Sequence, residues 1–259
     1  MTESLVIRSE ENGIVTLTLN REDSANALSA ALLEQLQEHL DDLVSTRTRV
    51  VILTGSGTKA FCAGADLKER RGMDEAQVLR AVARIRGVVN AVAALPMPVI
   101  VAINGVALGG GTELALAADL RIAAQSARFG LTETSLAIIP GAGGTQRLSR
   151  LIGVAQAKEL IYTARRIDAQ SALAVGMLNH VVPDADLQSR TAELAAEIAK
   201  NGPIALRQAK YAIDHGLDVD LATGLAIEAK AYEVIIPTKD RLEGLQAFAE
   251  KRSPHYEGR

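Results

Sequence analysis

The sequence predicts an α/β fold in which strand, turn and helix repeat as a stacked ββα spiral, followed by a helical C-terminal region. Three observations carry this reading. An Asn12-Gly13 pair splits residues 5–19 into two alternating runs, the pattern of a β-hairpin. Short apolar runs, VVILTG, VIVAIN and LRIAA, then recur with helix-period segments between them, as buried strands joined by crossover helices do. Beyond Gly141 the strand signal fades and helical segments dominate.

In chain order, the hairpin is followed by Leu32, Leu33, Leu36, Leu40, Leu43 and Val44 at helical spacing behind Ser29, a residue type that caps helices. VVILTG at 50–55 reads as a strand, residues 74–94 as a helix and VIVAIN at 99–104 as the next strand. TELALAAD (112–119) reads as a helix and LRIAA (120–124) as a further strand. Helices are expected around 155–164, 169–175, 186–200, 203–215 and 238–250, and Asn201-Gly202 ahead of Pro203 marks a stop and restart. No low-complexity linker interrupts the chain. Residues 1–200 therefore read as the core and 201–259 as a helical region that packs on its own core or on a neighbouring subunit.

Composition excludes several function classes. With 48% hydrophobic residues in 259, the chain can bury a substantial core as one large unit. A net charge of −3 without long runs of one sign gives no electrostatic footprint for nucleic acid or anionic lipid. Pro96, Pro98, Asn104 and Glu113 interrupt the most apolar region, so no membrane span is expected. The lone Cys62 cannot form an internal disulfide, and the start, MTESLVIRSE, reads as neither signal nor transit peptide. A reducing cytoplasm is expected.

The stretch INGVALGGGTELALAAD (103–119) sets three glycines just ahead of a glutamate in apolar surroundings. Glycine lets backbone N–H groups approach a ligand and point together, and a helix starting there adds its positive end. Phosphate-loop spacing is missing both here and in PGAGGTQR, which argues against nucleotide cleavage. Close packing of the turn is the plainer alternative. A second small-residue turn lies in FCAGADLKE (61–69), behind the VVILTG strand. Two such turns can each aim one N–H at a common oxygen, and Ala65 and Gly110 would then form an oxyanion hole. Glu113, one helical turn after Gly110, places a carboxylate beside that oxygen, and Glu133 in FGLTETSLAIIPGAGG offers a second. Paired carboxylates raise at least one pKa, so one can donate a proton while the other accepts. A solvated Glu133 at a helix start is the alternative, and spacing does not decide between them.

At these residues the chain resembles the crotonase (enoyl-CoA hydratase/isomerase) superfamily, whose fold is the crotonase-like ββα spiral shared with the ClpP proteases. AFCAGADLKE, INGVALGGGTELALAADLRIAA, FGLTETSLAIIPGAGGTQRL and GMLNHVV arrive in family order, and AIEAKAYEVIIPTKDRLEGLQAFAEKR is similar to the family's C-terminal end. The second half and ADLKER look most like methylglutaconyl-CoA hydratases of leucine breakdown, a branch with RNA-binding members.

The resemblance implies that Ala65 and Gly110 hold the thioester carbonyl of a 2-enoyl-CoA, that Glu113 activates the water attacking C3, and that Glu133 delivers the proton to C2. It also implies that coenzyme A, part of the substrate, runs along residues 63–68 (Ala63, Asp66, Leu67 and Lys68 among them) and near Arg21, Ala25 and Ala27. Phe248 and Lys251 would reach its nucleotide end from a neighbouring subunit, in a homotrimer or a hexamer of paired trimers built through residues 201–259. No metal or redox cofactor is implied. Family isomerases generally keep only the equivalent of Glu133, so the presence of both carboxylates favours hydratase over Δ3,Δ2-enoyl-CoA isomerase. RNA-binding relatives carry a lysine-rich first helix, whereas SAALLEQLQEHLDDLVS has acidic charges, so no nucleic-acid partner is expected. The missing transit peptide suggests a bacterial or already trimmed chain. Arg70 or Arg71 in KERRGM is a candidate cation for a second carboxylate on the acyl group.

Overall fold

A computed structural model describes residues 4–259. The chain opens with the antiparallel hairpin β1 (Val6–Glu11) and β2 (Ile14–Leu19), Val6 facing Leu19 and Glu11 facing Ile14. Asn12 and Gly13 both take positive φ (52° and 77°), as the tight turn between twisted strands requires.

Three turns of spiral follow. Helix α1 (Ala30–Val44) buries Leu32, Leu33, Leu36, Leu40 and Leu43, and the Ser29 hydroxyl accepts the Leu32 N–H at 3.2 Å. Strand β3 (Val50–Gly55) is followed by β4 (Ala60–Cys62), the short helix α2 (Leu67–Arg70) and α3 (Glu75–Ala93). Asp74 and Gln77 close a reciprocal capping box at the start of α3. The next turn is β5 (Val99–Ile103), β6 (Val106–Leu108) and α4 (Gly110–Leu116). The third is β7 (Leu120–Ala124), β8 (Arg128–Gly130), α5 (Gly144–Ile152) and α6 (Val154–Thr163). Each turn thus sends one strand to each of two sheets. The larger runs β1-β2-β3-β5-β7-β10 and the smaller β4-β6-β8-β9, the last strands being β9 (Ile167–Asp168) and β10 (His180–Val182).

Both β3 and β5 are buried on every residue, because two layers cover them. Val51, Leu53, Val99 and Val101 face the main core, while Val50, Ile52, Ile100 and Ala102 face a second cluster completed by Leu187 and Ala195. Those last two lie on α8 (Leu187–Ala199), which follows α7 (Ala169–Ala174) and β10. Asn104, just past β5, ties the crossings together: its Oδ1 accepts from Gly55 N at 3.2 Å and its Nδ2 donates to Gly57 O at 2.8 Å.

The chain ends in α9 (Pro203–Gly216), α10 (Leu221–Ile235) and α11 (Lys239–Glu250). These helices bury little in one chain: none of α9, Ala231 of α10, and Asp240 and Ala247 of α11. Leu217, Leu221, Tyr232, Leu245 and Phe248 stand open to solvent. Lys210 pairs with Asp119 at 2.9 Å, and Arg49 donates to the carbonyls of Ala199 and Tyr256, fastening the region to the core. Among the described residues no helix is long and apolar enough to cross a membrane.

The hairpin, α1, the three long strands and most of the expected helices appear within a residue or two of their predicted bounds; α4 begins two residues before and ends three residues before the expected 112–119. The fading strand signal beyond Gly141 needs correction, since β9 and β10 extend both sheets. The smaller sheet was largely unread, because two- and three-residue strands are too short to display a period of two. Helices α2, α5 and α10 were also unread; α10 is apolar on several sides, which blurs a helical stripe.

Candidate active site

The two small-residue turns meet. Residues 63–66 run beside 25–28: Ala63 N donates to Ala25 O at 3.0 Å, Leu28 N to Gly64 O at 2.8 Å and Asp66 N to Leu28 O at 3.2 Å. That parallel bridge uses the amides on either side of Ala65 and turns the Ala65 N–H away from it. Among the described residues, neither Ala65 N–H nor Gly110 N–H finds an acceptor. A Cβ placed on Gly110 would lie 3.7 Å from Ala65 N, and one on Gly64 would lie 3.2 Å from Gly110 N. Two free amides from separate spiral turns therefore stand side by side at the start of α4.

Two of the three glycines there have steric reasons. Gly109 adopts φ 50° and ψ −122°, a conformation side chains avoid, and a Cβ on it would sit 2.9 Å from Glu133 Oε1. Gly111 lies so close to β4 that a Cβ would overlap the Cys62 carbonyl. Close packing and amide presentation, weighed as alternatives from sequence, thus operate at neighbouring positions.

Glu113 projects from the first turn of α4 and is 3% exposed. Its Oε1 accepts two backbone N–H bonds, from Ala142 at 2.7 Å and Gly144 at 2.8 Å. Burial raises its pKa; those amides and the charges of Arg147 and Arg86 oppose the rise without cancelling it. Glu133 opens the short 3-10 turn Glu133–Leu136 and is half-buried, its Oε2 enclosed and without a hydrogen-bond partner among the described residues. Burial first, with the Glu113 charge adding, pushes its pKa up to about 7, against the pull of its own amide and of Arg70. The solvated alternative for Glu133 does not hold. The amides of Ala142 and Gly144 were missed from sequence; the glycine run PGAGG was the available signal, read only as a failed phosphate loop.

The other predicted residues separate into two groups. Arg21, Ala25, Ala27, Ala63, Asp66, Leu67 and Lys68 gather along the 25–28/63–66 bridge. Arg21 is engaged internally, donating to Ala27 O at 2.6 Å and Asp66 Oδ2 at 3.1 Å. Burial pushes the Asp66 carboxyl up, but Arg21 and the Lys68 and Glu69 amides outweigh it and leave it below the usual range. Leu67 and Lys68 are exposed. Phe248 on α11 and Lys251 just beyond it are exposed as well, Phe248 at 87%. Arg70 is half-buried and its charge reaches Glu133, whereas Arg71 faces solvent. Among the described residues no set of three His, Cys, Asp or Glu side chains gathers as metal ligands.

Comparison with known proteins agrees with this architecture. The chain is 53% identical over 257 residues to the mitochondrial methylglutaconyl-CoA hydratase of Mus musculus, covering 97% of this chain and 82% of that one. It is 58% identical to the YngF protein of Bacillus subtilis (strain 168) over the full length of both. The crystal structure of an enoyl-CoA hydratase from Bacillus anthracis superposes with a TM-score of 0.98 at 61% identity, over 99% of this chain and 100% of that one. The profile of the family described as Enoyl-CoA hydratase/isomerase matches residues 9–259. With that match over nearly the whole chain, the protein belongs to the enoyl-CoA hydratase/isomerase family, the crotonase family.

Proposed function

We propose that the protein is an enoyl-CoA hydratase whose substrate is 3-methylglutaconyl-CoA. The observation that carries this is the pair of carboxylates around the Gly109–Gly110 turn, one anchored by amides and one with an enclosed oxygen unpaired among the described residues. In this reading the Ala65 and Gly110 N–H groups receive the thioester oxygen, and negative charge develops on that oxygen as the C2=C3 electrons shift. Such donors typically lower the barrier by about 3 kcal/mol each.

Glu113, fixed through Oε1, takes a proton from water with Oε2 while the water oxygen bonds to C3. Glu133, its pKa pushed up to about 7 so that it still carries a proton in part at neutral pH, gives that proton to C2 as the enolate collapses. The product is a 3-hydroxyacyl-CoA, and the two carboxyls exchange protons with solvent to reset. Addition of water changes no oxidation balance, so the step as written calls for no redox cofactor. An isomerase moves one proton between two carbons and has no use for a second carboxylate this carefully held.

The 53% identity to a methylglutaconyl-CoA hydratase supports the acyl group. So does Arg70, a cation without a carboxylate partner among the described residues, set close enough to the site to influence Glu133. The uncovered apolar faces of α10 and α11 support a homotrimer or paired trimers as the working form, and buried, unbridged Cys62 suits a reducing cytoplasm.

A kinetic panel with crotonyl-CoA, longer 2-enoyl-CoAs and 3-methylglutaconyl-CoA tests the reading. Methylglutaconyl-CoA should give the highest kcat/KM, and Arg70→Ala should lower that value about tenfold or more while sparing crotonyl-CoA. Equal losses on both substrates remove Arg70 from the acyl pocket, and absence of hydration on every thioester removes the proposal.

A further inference from the structure

A cavity of about 560 Å³ lies behind the loop that holds Glu113, between α3, residues 139–147 and the α9–α10 connection. Three guanidinium groups face it, Arg86, Arg147 and Arg150, against one carboxylate, Asp218. Arg86 Nε donates to Gly141 O at 2.8 Å, and its terminal nitrogens find no acceptor among the described residues. Arg147 donates to Ala142 O at 3.0 Å and to Asn90 Oδ1 at 2.9 Å. Arg150 donates to Gln146 Oε1 at 3.1 Å and pairs with Asp218 at 3.4 Å.

We propose that this arginine-lined groove binds a small anion carrying two or more phosphate or carboxylate groups, and that its occupancy loosens the hold on Glu113. Guanidinium groups prefer such oxygens to neutral carbonyls, because both partners are charged and the planar fork fits two oxygens at once. Arg86 and Arg147 presently hold the carbonyls of Gly141 and Ala142, within the same loop that aims Ala142 N–H and Gly144 N–H at Glu113 Oε1. An anion that draws these arginines toward the groove withdraws them from the loop. It also cancels positive charge facing Glu113; the other charged group facing that carboxyl is Glu133, across the turn. Glu113 would then titrate higher. The groove stands apart from the Ala65–Gly110 pair, and only its kinetic consequence rests on the hydratase reading.

Calorimetric titration of inorganic pyrophosphate, and separately of citrate, into protein saturated with acetyl-CoA tests the site. Binding of either anion at one site per chain is expected, weakened about tenfold or more by Arg150→Ala. Arg150→Ala should leave anion-free crotonyl-CoA turnover unchanged, since Arg150 touches neither carboxylate. The tighter of the two probes identifies the preferred oxyanion. In the wild type the anion should shift the acidic limb of kcat/KM to higher pH, because the base form of Glu113 is lost earlier on acidification. No binding of either anion, or binding that Arg150→Ala leaves intact, overturns the site. Binding with an unmoved acidic limb overturns the coupling. Should the protein hydrate no thioester, the calorimetry still decides the groove.

Discussion

Glu113 and Glu133 are the same residue type on two sides of one turn, and their surroundings differ in how each carboxylate is held. Glu113 sits on a regular helix, almost fully buried, with one oxygen fixed by two amides. Glu133 begins a single 3-10 turn, half-buried, with an enclosed oxygen that has no partner among the described residues. Amides that donate to a carboxylate favour its charged form; an enclosed oxygen without donors favours the protonated one. Burial raises both carboxyls, but two donated amides restrain the rise at Glu113 and no such pair does so at Glu133, a difference that fits the proposed division into base and acid.

The strongest way to break the comparison is to remove each charge separately. Glu113→Gln and Glu133→Gln should each lower kcat for hydration by about 10²- to 10⁴-fold with little change in acyl-CoA affinity, measured by steady-state kinetics beside direct binding. Turnover that survives either change would mean that carboxylate takes no part in the proton transfers. A smaller loss, of roughly 10²-fold, is expected for Gly109→Ala: the added Cβ meets Glu133 Oε1 and strains a positive φ at the turn that presents Gly110 N–H. Its loss should fall on kcat, with the folded content unchanged by circular dichroism.

Proton affinity sharpens the comparison further. If Glu133 must carry a proton, kcat/KM should fall as pH rises through about 7, a limb that belongs to the interacting pair rather than to one residue. The stability consequence has a fixed sign. A carboxyl whose folded pKa is raised costs nothing well below the usual carboxylate range. Its cost grows as pH rises toward about 7 and is then constant. Glu133→Gln should therefore gain Tm relative to wild type across that window, by a few degrees at most. A Tm difference independent of pH between 4 and 8 would show that Glu133 titrates normally.

Much of this was legible in the chain because it depends on neighbours close in sequence. The Asn12-Gly13 turn, the Ser29 cap and the leucine stripe of α1 each follow from a few adjacent residues. So does Glu113's place one helical turn after Gly110. The amide anchors of Glu113 come from 29 and 31 residues away, and nothing local to Glu113 announces them. Lys68 and Arg21 were both placed beside coenzyme A by resemblance, yet Arg21 spends its charge on Asp66 and a carbonyl while Lys68 stays exposed.

Sequence by itself determined the alternation of strand and helix and the positions of the glycines, since propensity and periodicity act over a few residues, and it offered Glu113 and Glu133 as candidates without pairing them. Tertiary structure alone decided that Ala65 and Gly110 share one point, that Glu113 is gripped by amides while Glu133 keeps one oxygen enclosed, and that three arginines gather behind the loop. Those outcomes depend on which spiral turns lie side by side. Burial and pairing between residues distant in the chain are set by packing, which no short stretch of sequence encodes.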